Sequence, residues 1–486
     1  MRDERPNILL IITDQQRGDC LGVDGHPVVR TPHLDALAAE GVRFRRAYSA
    51  CPICIPARRT LLSGRKAASH GVVANYDTWL EGPTLPELLS RAGYQTHLVG
   101  KLHLWPLRKL YGFNSADWSD GPYPRPSLGD YGTFLQEAGA RMPDACLAHG
   151  AGLGSWVARP WHLEERLHFS NWCADMALRF LERRDPTVPF FLNVSIYHPH
   201  PPFTPPDYYF QRYMSMDLPE PRVGDWARRF DQPPKGLPIN GRYIALDPEM
   251  WRRYLAGYYG CISHLDDQIG RILWRLDDET GRRDRGLSRD TVVVFVSDHG
   301  EMLGDHQLGK KSLAYEGSAR IPFLLRFPKS MGLARGQVRD ELVELMDVMP
   351  TLLDIAGVPI PDTADGRSLM PLVRGEAVSW RRYLHGECAD VRGMDTSMQY
   401  LTDGRWKYTW YTRDGREQLF DLQSDPGELV DLAGDSHFAA ETARWRELLA
   451  RELQGRPEGF SDGANLRPTG GPTPRYLPGH ERRDPR

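Results

Sequence analysis

The chain has 486 residues, with 61 basic and 64 acidic side chains and a formal net charge of −3. So even a balance argues against a nucleic-acid binder, which needs a net basic face, and no apolar run approaches the ~18 residues that cross a bilayer. Seven cysteines, sparse and odd in number, argue against a disulfide framework.

At roughly 100 to 200 residues per domain, the length predicts two to four domains. The N-terminus passes almost directly into Ile8–Ile12 without an h-region or cleavage site, so a cytoplasmic location is expected. That run, Pro6 to Asp14, is β-branched, continuously apolar and closed by a carboxylate. It predicts a strand buried on both faces of a parallel sheet. A helical pattern over 34–40 follows.

Next comes Cys51-Pro52-Ile53-Cys54-Ile55-Pro56-Ala57-Arg58-Arg59-Thr60-Leu61-Leu62-Ser63-Gly64-Arg65. The C-x-x-C could be half a zinc site or a redox pair. No second pair follows at finger spacing, and Pro56 with two arginines interrupts a thioredoxin-type helix. The third reading puts Cys54 at the start of a helix beginning near Pro56, where free N–H groups suit an anion and Arg58 adds a forked donor. Cys51 then reads as structural, and Cys20, Cys146, Cys173, Cys261 and Cys388 read as buried apolar residues.

A helical pattern over 85–92 leads into a strand at 96–99, followed by Lys101 and His103. Another over 174–182 leads into a strand at 189–196, followed by His198 and His200. The Pro- and aromatic-rich stretch 201–248 reads as a surface excursion that could shape a pocket. A helix over 254–276 leads into the strand 291–297, followed by Asp298 and His299. Alternation of helix and buried strand means an α/β fold, a large mostly parallel sheet sandwiched by helices. Ligands bind outside the carboxyl ends of such strands, where Asp14, Lys101, His103, His200, Asp298 and His299 all fall. From about Ser379, short Tyr/Trp/Leu segments with Asp-Gly turns predict a smaller C-terminal α+β domain, an antiparallel sheet plus a helix over 439–453. The expected boundaries are 1–375, 376–455 and a loosely ordered tail, 456–486.

Cys54-Ile55-Pro56-Ala57-Arg58 with Ser63-Gly64-Arg65 resembles the C-x-P-x-R … [ST]-G-R signature of type I sulfatases, in the alkaline phosphatase superfamily. Four more blocks resemble that family in its order: Gly93-Tyr94-Gln95-Thr96 … Gly100-Lys101-Leu102-His103; Pro199-His200-Pro201-Pro202-Phe203; Ser297-Asp298-His299-Gly300-Glu301 with Gly304-Asp305-His306 and Lys311; and Leu419-Phe420-Asp421-Leu422 … Asp425-Pro426 … Glu428. The resemblance implies a sulfuric ester hydrolase acting on an aryl, alkyl or sugar sulfate. It implies that Cys54 becomes 3-oxoalanine (formylglycine), made by a formylglycine-generating enzyme. The hydrated aldehyde attacks sulfur with one hydroxyl and expels sulfate with the other, which a thiol cannot do.

By the same resemblance, Asp14, Asp298, His299 and the modified Cys54 hold one divalent cation, calcium by expectation, with magnesium and manganese as alternatives. Lys101 and Lys311 contact sulfate oxygens, Arg58 orients the nucleophile, His200 protonates the leaving alcohol, His103 assists at the diol, and Asn75 faces substrate. The chain has eight lysines against fifty-three arginines, so lysine at both motif positions points to a need for a compact ammonium. His198 has the wrong spacing to Pro202 and Phe203, so His200 is preferred.

Many sulfatases carry two adjacent aspartates after the first strand; here the pair is Asp14-Gln15. That moves the chain toward choline sulfatases and phosphonate monoester hydrolases, and leaves open whether Gln15 is a ligand. Lys101 and His103 return the reading to sulfate monoesters, with a phosphonate monoester or phosphodiester hydrolase, or a non-catalytic anion-binding relative, as alternatives. Trp156, Trp161, His162, Trp226, Arg228 and Arg229 are candidate pocket residues. Neither nucleic acid nor membrane is an expected partner, and the sequence leaves oligomeric assembly open.

Overall fold

In a computed structural model that describes residues 5–121, 129–140, 150, 152, 154–227, 241–278, 286–389 and 396–481, the run Asn7–Asp14 forms a strand with all eight residues buried. The strands of the larger region are β1 (Asn7–Asp14), β2 (Val42–Phe44), β3 (Ala47–Tyr48), β4 (Gln95–Gly100), β5 (Ser115–Trp118), β6 (Phe190–Pro199), β7 (Thr291–Ser297), β8 (Phe323–Arg326), β9 (Gln337–Arg339) and β10 (Val343–Glu344). Eight of them make one sheet in the order β5-β4-β6-β1-β7-β8-β2-β9, while β3 and β10 pair separately. β1 lies between β6 and β7, parallel to both, with Ile8 opposite Phe191 and Val292. Only β8 runs antiparallel to its neighbours β7 and β2.

Strand period explains why β1 is apolar throughout. Ile8, Leu10 and Ile12 join Val292, Val294 and Val296 in the core on one face. Leu9 and Ile11 join Leu192, Val194, Val293 and Phe295 on the other. With helices on both faces, no position of a central strand meets water. One face carries Cys54–Ser63, Leu85–Arg91 and Val348–Ile355 through residues such as Leu61, Leu89 and Leu352. The other carries Pro32–Ala39, Phe169–Arg183 and Pro248–Asp277. The last starts where Asp247 accepts the Met250 N–H and Pro248 opens the first turn.

The weaker strands β2, β5, β8 and β9 are three or four residues long, too short to show a period in sequence. The stretch read as a surface excursion is partly helical: Asp207–Met214 packs Phe210 and Tyr213 against Tyr258, Tyr259 and Ile262 of the long helix. Arg228, Arg229 and Cys146 lie outside the described residues.

Beyond residue 376, β11 (Leu384–Cys388), β12 (Met398–Thr402), β13 (Trp406–Tyr411) and β14 (Glu417–Asp421) form an antiparallel meander. One face packs Trp410 and Leu419 against Trp445 and Leu449 of the helix Ala439–Glu452. The other packs Met398, Tyr400 and Tyr411 against Tyr48, Cys51, Ile53 and Val73. The small sheet therefore backs directly onto the segment entering Cys54. The tail corrects the expectation of loose order over 456–481. Phe460 is fully buried, the Val73 N–H donates to the Arg475 carbonyl (3.0 Å), the Leu477 N–H donates to the Gly71 carbonyl (2.8 Å), and Tyr476 stacks on Tyr76. Its Gly/Pro content marks an extended segment that is held by the body it lies on.

Candidate active site

Three parallel strands end together. β1 delivers Asp14, β6 delivers His200 one residue past its end, and β7 delivers Asp298 and His299. The register of β1 with β6 shifts between Thr13 and Asp14, which turns the carboxylate out of the pleat. β4 adds Lys101 beside them. On the face of this edge sits the first turn of Cys54–Ser63, with Cys54 itself the first residue. Ile53 is extended and offers no side-chain cap; instead Asn75 Oδ1 accepts the Ile55 N–H at 2.9 Å. The helix stops at Gly64, whose φ of 66° suits a residue without Cβ. Ser63 Oγ donates back to the Arg59 carbonyl at 2.6 Å, so the Ser-Gly pair of the motif ends the helix.

Arg58 organises the carboxylates. Its Nε donates to Asp298 Oδ2 (2.9 Å) and its Nη2 to Asp14 Oδ2 (3.3 Å). Nη1 donates to Ser195 Oγ (2.7 Å) and to the Lys101 carbonyl (3.0 Å). Lys101 Nζ also donates to Asp14 Oδ2 and lies over the Tyr197 ring. Both Oδ2 atoms are thus occupied; Asp298 Oδ1 also accepts the Gln15 N–H at 3.1 Å, and the two Oδ1 atoms both lie near His299 Nε2. His299 Nε2 lies 3.7 Å from Asp14 Oδ1, 3.5 Å from Asp298 Oδ1 and 3.2 Å from Cys54 Sγ. Its Nδ1 donates to the Gly300 carbonyl at 2.9 Å, which leaves Nε2 with its lone pair.

Asp14, Cys54, Asp298 and His299 are all fully buried, with ligand atoms within 4.8 Å of one another. Two hard carboxylate oxygens and one oriented imidazole fit a divalent cation. Gln15 Oε1 accepts from Lys311 Nζ, and its Nε2 donates to Glu301. The amide thus connects the ammonium of Lys311 to the buried carboxylate of Glu301.

Electrostatics at residue 54 are positive. Burial alone would push the Cys54 thiol up, yet Lys311, Lys101 and His299 hold it well below the ordinary thiol range. Asp14 is likewise lowered; burial and Cys54 oppose this, but Lys101, His200 and Arg58 outweigh them. Asp298 is raised by burial and by Asp14, and His299 is raised against burial by Asp298 and Cys54. His200 donates Nδ1–H to the Pro201 carbonyl at 2.8 Å and presents Nε2. Burial, then Lys311, lower it to about 4. The His103 ring bonds toward Cys54, its Nδ1 has no partner among the described residues, and the His103 backbone N–H donates to Asp120 Oδ1 at 2.8 Å.

Left-handed backbone at non-glycine residues costs of order 1–3 kcal/mol and collects at functional sites. Gln15 (φ 71°), His103 (55°), Lys310 (70°) and Ser312 (73°) all adopt it around this cluster. The Lys311 segment is tied down from the small sheet. The Ser312 N–H donates to the Pro52 carbonyl (2.9 Å), and Tyr315 Oη donates to Gln418 Oε1 (2.7 Å). Lys407 Nζ bridges Glu316 Oε1 (2.7 Å) and Glu428 Oε1 (2.9 Å). The C-terminal motif ending in Glu428 therefore fixes the loop that carries Lys311.

Asp14, Cys54, Arg58, Lys101, His103, His200, Asp298, His299 and Lys311 all come together. Asn75 is at the helix start with its oxygen engaged, so its first task is to hold the backbone beside Cys54. Trp226 does not line the cluster; it stacks on Tyr315 and donates Nε1–H to the Glu428 carbonyl at 2.8 Å. Trp161 packs edge-on against His168, and Trp156 joins the core beneath Phe203. His198 faces away from the cluster, stacked on His168 with Nδ1 on Ser170 Oγ. Sequence reasoning missed Ser195, Tyr197, Glu301 and Asp120. Asp120 had a signal, a Ser-Asp pair just past β5; Ser195 had none, being one polar residue inside a strand.

The Sulfatase family matches residues 6–358, and the N-sulphoglucosamine sulphohydrolase C-terminal family matches 304–454. An arylsulfatase of Clostridium perfringens is 41% identical over 477 residues, covering 95% of this chain and 97% of the relative. A choline-sulfatase of Rhizobium meliloti is 32% identical, covering 89% and 83%. The solved phosphonate monoester hydrolase of Agrobacterium radiobacter superposes with a TM-score of 0.76 at 27% identity, over 92% of this chain and 95% of that one.

Proposed function

The chain belongs to the sulfatase family and hydrolyses sulfate esters, and from that premise we propose that Cys54 is converted to formylglycine and works beside a divalent cation held by Asp14, Asp298 and His299. The observation that carries the proposal is the convergence of two Oδ1 atoms and His299 Nε2 on residue 54, at a helix start. When both groups are in place, the aldehyde hydrate supplies the nucleophile and the cation supplies charge neutralisation at sulfate. Calcium suits the hard oxygen donors best, and magnesium and manganese share that preference.

The remaining work falls to the chain's own side chains. Arg58 holds both carboxylates by their outer oxygens, which keeps the inner pair aimed at residue 54. Lys101 and Lys311 set the positive potential in which the sulfate is bound and negative charge develops. His200 Nε2 delivers the proton to the leaving oxygen, and His103 hydrogen-bonds the oxygen on residue 54. Cys54 is only 1% exposed, so the formylglycine-generating enzyme acts before the fold closes. Besides Cys54, five described cysteines are buried free thiols, a state that a reducing compartment maintains, and we assign a cytoplasmic location.

Gln15 gives the site one carboxylate fewer than an Asp-Asp pair, and its amide is engaged by Lys311 and Glu301. The test is hydrolysis of para-nitrophenyl sulfate by protein matured with the modifying enzyme, alongside mass spectrometry of the Cys54 peptide. The proposal expects an aldehyde at residue 54 in active protein and none in inactive protein. Full activity with an intact Cys54 thiol, or with Cys54→Ala, overturns it.

A further inference from the structure

Past the end of β4 the chain turns through Lys101, Leu102 and His103. The Lys101 N–H donates to the Ser195 carbonyl (2.8 Å), and the Lys101 carbonyl accepts from Arg58 Nη1 (3.0 Å). The next two N–H groups, those of Leu102 and His103, both donate to one atom, Asp120 Oδ1, at 3.1 and 2.8 Å. Successive N–H groups turned to one side form a concavity suited to an anion, and here a carboxylate of the chain itself fills it. His103 takes a φ of 55° in this turn, a conformation that a residue with a Cβ keeps only when its surroundings impose it.

Asp120 arrives from the neighbouring strand. β5 ends at Trp118, and the Ser119 N–H donates to the Gly100 carbonyl (3.0 Å), so residue 120 stands beside the end of β4. Gly121 then packs on Tyr197, whose ring a Cβ would approach to 2.5 Å, and Lys101 Nζ lies over that same ring. Asp120 is 5% exposed, and among the described residues no cation lies within ion-pairing distance of it. Its charge therefore rests on the N–H groups of the turn.

The rest of the cluster is held by other groups: Asp14 and Asp298 by Arg58, His200 by the Pro201 carbonyl, and the Lys311 loop by the small sheet. Lys101 Nζ reaches Asp14, and the His103 ring reaches Cys54, from opposite ends of one three-residue turn. We propose that Asp120 is a positioning residue for sulfate ester hydrolysis: its carboxylate sets the turn from which Lys101 and His103 reach the reacting centre, without itself touching substrate. The inference rests on the reading above, in which Lys101 and His103 act beside residue 54.

The test measures kcat of the matured enzyme on para-nitrophenyl sulfate, per residue-54 aldehyde counted by mass spectrometry. Asp120→Ala should lower it about 10- to 100-fold, the effect of small misplacements at a reacting centre. Asp120→Asn keeps an oxygen where both N–H groups point and should stay within about fivefold of the unaltered enzyme. Asp120→Glu keeps the charge but displaces the oxygen, and should fall with Asp120→Ala. In protein already carrying His103→Ala, Asp120→Ala should cost at least about fivefold less than it does alone, because its effect runs in large part through His103. An unaltered kcat in folded Asp120→Ala or Asp120→Glu protein overturns the inference. So does the reverse order, Asp120→Glu active and Asp120→Asn not, which assigns the residue a role through charge. Losses that simply multiply in the Asp120→Ala/His103→Ala pair also overturn it, because a general fold defect is indifferent to residue 103. Absence of turnover by unaltered, aldehyde-bearing protein refutes instead the reading of the site on which the inference rests.

Discussion

His200 gives the sharpest test of how the site treats its leaving group. Its Nδ1 is bonded to a carbonyl, which can only accept, so Nε2 is the atom left for the substrate. Burial and Lys311 hold the ring at about 4. At neutral pH His200 of the free enzyme is therefore mainly neutral. A sulfate ester lying against Lys311 cancels the lysine's influence and raises the fraction able to donate. An alkyl alkoxide cannot depart without that proton, whereas para-nitrophenolate leaves unaided. His200→Ala should thus lower kcat by about 10²- to 10⁴-fold on an alkyl sulfate and by less than about tenfold on para-nitrophenyl sulfate. In steady-state assays, log kcat/KM of the unaltered enzyme on the alkyl ester should fall with rising pH above about 4, as the acid form is lost. The variant should lack that limb. Equal losses on both esters would refute the reasoning and assign His200 to sulfate binding instead.

Arg58→Ala leaves Asp14 and Asp298 buried beside each other without their shared donor, and should cost about 3–5 kcal/mol in denaturant unfolding; Arg58→Lys should recover part of the stability but little activity, because one ammonium cannot replace the fork. Chelation should abolish arylsulfatase activity, and titration with calcium, magnesium and manganese in turn should restore it most fully with calcium. His198 is held at about 3 by burial and by its neighbours His264 and His200. The unfolded chain takes up its proton near 6.5, so stability is present above that pH and is lost as pH falls toward 3, at about 1.4 kcal/mol per pH unit. His198→Gln should therefore lose about 2 kcal/mol less than the unaltered protein between about pH 6.5 and 5, measured by urea unfolding.

What the chain discloses on reading follows from where physical constraint is dense. β1 and β7 stand between two helical layers, so every position is apolar and the strands announce themselves, together with the carboxylates that end them. The nucleophile motif is legible for a similar reason: Cys54 must open a helix, Arg58 must reach two carboxylates one turn later, and Gly64 must close it in a left-handed conformation. The short strands β2, β5 and β9 at the two ends of the sheet order are too short to carry a period. Ser195 is invisible because only three-dimensional packing brings it under Arg58. Trp226 misleads, since an aromatic in a Pro-rich stretch reads the same whether it faces a ligand or, as here, pins Glu428 and Tyr315. The tail misleads likewise: composition reports the lack of regular structure in 456–481 but not the hydrogen bonds that hold it to Gly71 and Val73.

Anomalous diffraction from crystals of the matured protein grown with calcium or manganese addresses the core of the account. The expected result is a single cation within about 2.6 Å of Asp14 Oδ1 and Asp298 Oδ1 and near His299 Nε2, with an oxygen of modified residue 54 in its shell. A cation bound elsewhere, with Lys101 alone neutralising Asp14 in catalytically active protein, would contradict it.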